Sequence, residues 1–137
     1  NHGSFPFFPA ALNSEQALDV LVPKYTVDTS VFICPGGKDS EIPSGESIRN
    51  RKISYAYYMG RRLADKNEAL MSDRQINSEP KAAGQFVFST TGKPPGNNHH
   101  KYGGNFLMGD GSVQPSKARL TRALPIPPGV VLLNPKP

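Results

Sequence analysis

The sequence predicts an α+β domain, with one short amino-terminal helix, several short strands and long irregular loops. Three observations lead there. A capped amphipathic stretch occurs once, just after residue 12. Short β-prone runs recur from residue 52 onward, the last pair separated by an Asp-Gly turn. Gly and Pro together make up 27 of 137 residues, which demands many turns.

The elements follow in order. Residues 1–12 hold Phe5, Pro6, Phe7, Phe8 and Pro9, and two prolines without apolar period predict an extended lead-in whose rings pack on something. Asn13 or Ser14 can accept from the free N–H groups of a first helical turn, and Glu15 suits its positive end. Ala17, Leu18, Leu21 and Val22 form one face of a helix of two or three turns, which Pro23 stops. So short a helix is marginal alone and must dock. Val31-Phe32-Ile33-Cys34-Pro35 is an apolar run closed by Gly36-Gly37, and residues 35–47 read as a surface loop.

Lys52 to Met59 reads as a strand, Ala69 to Asp73 as a short buried strand, and Gln85 to Ser89 as another. Residues 74–84 and 90–98 read as loops. The clearest local signal is Gly104–Met108, Gly109-Asp110-Gly111, then Ser112-Val113-Gln114. It predicts a hairpin closed by a two-residue turn with positive φ at both central positions. Val130 to Leu133 fits an edge strand within a proline-rich tail, residues 120–137.

Composition bounds the function. A single domain spanning residues 1–137 suits this length, and Leu, Ile, Val and Phe total 31 residues, enough for a modest core. No apolar run approaches the roughly 18 residues that span a bilayer, so the sequence as given predicts a soluble chain. The net charge is +5. Arg49, Arg51 and Lys52, then Arg61 and Arg62, then Lys117, Arg119 and Arg122 form three small groups, with Tyr55, Tyr57 and Tyr58 between the first two. That interleaving suits a single-strand binder. No RRM, KH, zinc-finger or helix-turn-helix pattern accompanies it, so a solvated basic surface and core tyrosines are expected instead, with no nucleic-acid partner.

Candidate chemistry is sparse. Cys34 is the one cysteine and reads as a buried small hydrophobe, because nothing local would activate a thiolate. His99, His100 and Asp110 invite a metal reading, but zinc needs about three or four protein ligands, and the remaining histidine, His2, sits at the chain end. Calcium could use Asp110 and loop carbonyls, although no EF-hand spacing exists. There is no Gly-x-Ser-x-Gly elbow and no phosphate-cradling loop, so no enzyme is expected and no catalytic residue is assigned. The residues themselves give Asp110-Gly111 a turn-closing role, Gly103 and Gly104 a close backbone crossing, and His100 a reach toward Asp110 or a loop carbonyl.

One longer pattern is more specific. His100 is followed by nine residues and then Asp110-Gly111, with Gly103, Gly104, Asn105, Leu107 and Val113 between and after. This resembles the H-X9-DG signature near the carboxyl end of prepilin-type, type II secretion pseudopilin-like proteins. Phe32, Cys34 and Pro35 resemble that family's Phe-x-Cys-Pro box. Ile53-Ser54-Tyr55 and Leu70-Met71-Ser72-Asp73-Arg74 resemble two of its strands. The matches are spread over about residues 13–114 in the family's order; the tail after residue 120 lies outside them. Members begin with a prepilin leader and a long apolar helix, neither of which is in this sequence.

The resemblance implies a pilin-like domain, its short helix packed on a small antiparallel sheet. It implies a non-catalytic subunit of a type IV pilus-like or type II secretion pseudopilus filament. Its partners would be other pilin or pseudopilin subunits and the secretion apparatus, with membrane contact only through the helix outside this sequence. The place would be periplasmic or extracellular, with no cofactor unless calcium binds at Asp110. The alternative is an extracytoplasmic carbohydrate- or surface-binding module using exposed tyrosines and long loops.

Overall fold

The computed structural model describes residues 4–137. His2 and the first three positions of the expected lead-in lie outside the described residues. Five short strands form one antiparallel sheet: β1 (Tyr55–Met59), β2 (Ala69–Asp73), β3 (Gly104–Met108), β4 (Val113–Ser116) and β5 (Val131–Leu133). Their spatial order is β4-β3-β2-β1-β5, so the last strand pairs with the first. One α-helix, α1 (Ser14–Leu18), precedes the sheet and runs into a 3₁₀ turn over Asp19–Leu21. The broad α+β architecture is therefore as expected.

The helix starts where its cap chemistry places it. The Asn13 side chain accepts from Gln16 N, and Val22 before the proline is extended. It is shorter than its apolar spacing suggested, because Asp19 turns its carboxylate to Ser47 Oγ and Ile48 N and ties the chain to the following loop. Ala17 and Leu18 are buried, whereas Leu21 and Val22 are only half-buried. Docking onto the sheet is direct, since Ser14 Oγ donates to Tyr55 O at 2.7 Å. Phe5 and Phe8 of the lead-in pack on the same core.

The sheet is buried on both faces except at β4, which is mostly exposed. Tyr57, Met59 and Leu133 face α1 and the segment from Phe32 to Ile53. Ala56, Tyr58 and Leu132 face the opposite way, with Phe106, Met108, Val87, Phe88, Leu120 and Leu124. The alternation along β1 is the period-two pattern of a strand between two layers. A register shift between Ala69 and Met71 lets Leu70 and Met71 both turn toward the α1 side while Ala69 stays on the other.

Two expectations about elements need correction. Gln85 to Ser89 is not a strand; it makes one isolated bridge, Phe86 to Arg119, while Val87 N and Phe88 N both donate to Ala118 O. That segment is a cover for the second face, and Val87 and Phe88 are buried as a layer rather than by laddering, while Phe86 stays exposed. The edge strand expected at Val130 to Leu133 forms as β5 at the margin of the sheet, and Leu120, Leu124, Leu132 and Leu133 of the proline-rich tail are core residues. The hairpin between β3 and β4 forms as expected, but its turn differs. Gly111 alone takes positive φ (+88°), Gly111 N donates to Met108 O, and Met108 N donates to Ser112 O. This is a three-residue loop whose third position is left-handed, the alternative hairpin closure. Gly109 N and Asp110 N are drawn to Glu68 O and Lys66 O, and a Cβ on Gly109 would lie 2.3 Å from Asp65 O. The neighbouring chain therefore selects the longer loop.

The basic groups are largely paired. Arg49 meets Asp19, Arg51 meets Glu46, Lys52 meets Asp39, and Arg62 meets Asp65. Arg61 is buried over the Tyr58 ring, and Tyr57 and Tyr58 are core residues. On the second face, fully buried Gln75 donates to Tyr58 Oη and Ser72 Oγ and accepts from Lys81 Nζ. Burial pushes the Lys81 ammonium down to about 8, opposed by the Glu79 charge.

Candidate functional site

The side chains with most chemical potential meet at one end of the sheet, where β2 ends, β1 begins and two loops converge. Asp73 is the last residue of β2 and pairs with Tyr55, the first of β1. Its carboxylate is 3% exposed and holds three groups. Asn98 Nδ2 donates to Oδ1 at 3.0 Å, Asn105 N donates to Oδ2 at 2.6 Å, and His99 Nε2 lies 3.2 Å from Oδ2. Gly104 makes this possible, since a Cβ there would lie 2.9 Å from both Asp73 Oδ2 and Phe88 Cζ.

Cys34 enters from the other side. A 3₁₀ turn over Thr29–Phe32, capped by the Asp28 side chain, delivers it. Its backbone N donates to Ser54 Oγ at 2.8 Å, and Ser54 Oγ in turn donates to Asp39 Oδ2. The thiol is 3% exposed, and Cys34 Sγ lies 3.6 Å from His99 Nε2. Tyr55 borders the same point. Its phenol is held well above the ordinary range, first by burial and then by the negative charges of Cys34 and Asp73 and a hydrogen bond to Cys34. Cys34, Asp73 and His99 are the group of three or more His, Cys, Asp or Glu donors, among the described residues, whose ligand atoms sit close enough to share one ion. They open onto a cavity of about 440 Å³ whose other walls include Val31, Met71, Leu107 and Val113.

The residues singled out in the sequence fall differently. Cys34 is buried as expected, yet it is not an isolated hydrophobe. Phe32 is in the core beside α1, and Pro35 lines the cavity. Gly103 does allow a close crossing, with φ +109° and a would-be Cβ 2.1 Å from Ser116 O. Asn105 acts through its backbone N. His99 and His100 diverge: His99 turns to Asp73 and Cys34, while His100 takes φ +56° and packs near Gly92. His100 does not reach Asp110, because the five residues of β3, at about 3.3 Å each, hold the two at opposite ends of the strand.

Asp110 serves its own turn. Its Oδ1 accepts from Ser112 N at 2.9 Å and Ser112 Oγ at 2.6 Å, and those bonds hold the carboxyl below its usual range, helped by Lys66. A group with a lowered folded pKa stabilises above the unfolded value and loses that effect as pH falls. Asp110→Ala should therefore melt lower than the parent at pH 7, and the gap should close as pH falls below about 3.9. Matched calorimetric melts at the two pH values check this; a gap that persists in acid removes the carboxylate from the explanation.

Sequence inspection had no means of joining residues 34, 73 and 99, because no local spacing links them. The one available hint was that each flanks a turn-rich segment. No family model, curated protein or solved structure matches the chain.

Proposed function

We propose that this domain is a non-catalytic, pilin-like subunit of a type IV pilus-like or type II secretion pseudopilus filament, outside the cytoplasm, whose partners are other subunits of the same kind. The H-X9-DG resemblance motivates the reading, and the distribution of exposed apolar side chains supports it. Among the described residues, six of the eleven exposed large apolar side chains, Phe7, Leu12, Val20, Tyr25, Val27 and Val31, lie in the first 31 residues around the helix that leads the fold, and the other five are spread from Leu63 to Val131. A stretch of chain enriched in exposed apolar side chains suits protein contacts. The geometry of the motif suits the same reading: Gly103, Gly104 and Asp110 shape backbone, and none presents a nucleophile. The burial of Tyr57 and Tyr58 leaves the carbohydrate-binding alternative Tyr25 and Tyr102 as its exposed rings, on separate loops. No helix among the described residues is long and apolar enough to cross a membrane, so membrane contact in this reading falls to a segment outside this sequence.

Leu12 gives the sharpest test, being 86% exposed. In cells expressing the full gene, antibody to this domain should decorate sheared surface or periplasmic filaments along their length. Leu12→Glu should leave the isolated domain's unfolding free energy within about 0.5 kcal/mol, as surface changes do, while removing it from filaments. Absence of the parent from any filament, or full incorporation of the variant, would overturn the respective parts of the reading.

A further inference from the structure

We propose that Cys34, Asp73 and His99 bind one divalent ion of the zinc class, with a fourth coordination position open to the cavity. The inference does not rest on the filament reading. It rests on the convergence of three different donors on one point. The sulfur, the imidazole Nε2 and a carboxylate oxygen all lie within 4.8 Å of one another.

Two of the three ligand separations fit a tetrahedral ion. With metal–sulfur near 2.3 Å and metal–nitrogen or metal–oxygen near 2.0–2.1 Å, tetrahedral edges come to about 3.5 Å for S to N and about 3.4 Å for N to O. The observed values are 3.6 Å and 3.2 Å. The sulfur and the carboxylate oxygen lie within 4.8 Å of each other, and a shared ion would draw them toward about 3.5 Å.

The alternative chemistries fit less well. A Cys-His-Asp relay needs the two ring nitrogens on different partners, one facing the thiol and the other the carboxylate. Here the same Nε2 faces both, so the two ring nitrogens do not serve different partners. A shared cation would satisfy both contacts, with a neutral imidazole donating its lone pair. Calcium and magnesium are poor candidates, since they take oxygen ligands in larger numbers, whereas thiolate with imidazole selects softer ions.

The surroundings are those of a supported centre. Asn98 Nδ2 and Asn105 N hold the two oxygens of Asp73, and Ser54 fixes the Cys34 backbone. Such outer contacts orient ligands before the ion arrives. Two buried groups that become anionic, a thiolate and a carboxylate, would otherwise repel at this distance; a divalent ion offsets both. Three protein ligands leave the fourth position to water or a small donor entering from the cavity side.

Cobalt is the probe, because it reports sulfur ligation optically. The metal-free domain should take up one Co²⁺ per chain, with a thiolate-to-cobalt charge-transfer band and the intense visible bands of a four-coordinate ion. Zn²⁺ should displace it, and excess Ca²⁺ should not. Cys34→Ser should remove the charge-transfer band. His99 has a side chain about one-third exposed, so His99→Ala should stay folded by circular dichroism. It should weaken Co²⁺ binding by more than about 100-fold, beyond the loss typical of an outer contact. A parent protein with no charge-transfer band, or His99→Ala binding cobalt as the parent does, overturns the site.

Discussion

Replacing Glu15 with alanine should lower the unfolding free energy by about 2–4 kcal/mol, because it strands the buried Ile53 N–H at about 1–3 kcal/mol and removes the bond to the half-buried Lys136 N–H, worth about 0.5–1.5 kcal/mol. Glu15 is fully buried. Its Oε2 accepts from Ile53 N at 3.0 Å, and both its oxygens accept from Lys136 N at 3.0 Å. Arg74 reinforces the same junction, donating to Ile53 O and to Lys136 O. One carboxylate thus fastens α1 to the chain just ahead of β1 and to the chain beyond β5. Against a typical stability of about 5–15 kcal/mol, the loss is a large fraction. Urea unfolding of parent and variant measures it. Glu15→Gln retains one acceptor oxygen and should fall between the two. An alanine variant with an unmoved midpoint would place the strength of this junction elsewhere.

The second large effect is alkaline unfolding. Burial holds the phenols of Tyr57 and Tyr58 above their ordinary value near 10; at Tyr58 a hydrogen bond from Gln75 and the charges of Arg61 and Arg122 pull partly the other way. A raised folded pKa stabilises fully below the unfolded value and loses ground as pH rises beyond it. Each such tyrosine contributes at most about 1.4 kcal/mol of loss per pH unit above 10, so the pair approaches roughly 3 kcal/mol per unit. A stability near the low end, about 5 kcal/mol, would be exhausted in about two units. Lys81 acts in the opposite sense in the window below. Its folded pKa near 8 means the unfolded chain binds the extra proton between about 8 and 10.4, so stability should first rise gently. Phenolate absorbance from the buried rings should therefore appear together with loss of the far-ultraviolet dichroism. Full ionisation of all five tyrosines with the dichroism intact would contradict the burial argument.

The legible parts of the sequence were those governed by local rules. Asn13 capped the helix, Ala69 to Asp73 formed a strand with its predicted limits, and the Asp110-Gly111 hairpin formed. The illegible parts depended on partners distant in the chain. Gln85 to Ser89 has strand-like composition, but Ala118 O satisfies its backbone without a ladder. Asp110-Gly111 carries a two-residue turn signal, yet Glu68 O and Lys66 O recruit the preceding amides and lengthen the loop. Glu15 read as a charge for the helix end, because Ile53 and Lys136 could not be foreseen as its donors. The cluster of Cys34, Asp73 and His99 escaped for the same reason. Its members are brought together by Gly104 and Asn98, whose roles exist only in three dimensions.

The pairing of β5 with β1 has a kinetic consequence. Tyr57 lies beside Leu133, and the carboxylate of residue 15 waits for an amide 121 positions later. Contacts of such separation raise the relative contact order and slow folding, since a long loop must close before anything is gained. During synthesis the first strand has one neighbour, β2, and an open edge until residue 131 leaves the ribosome. Until then that open edge is hazardous wherever other unpaired strands are near.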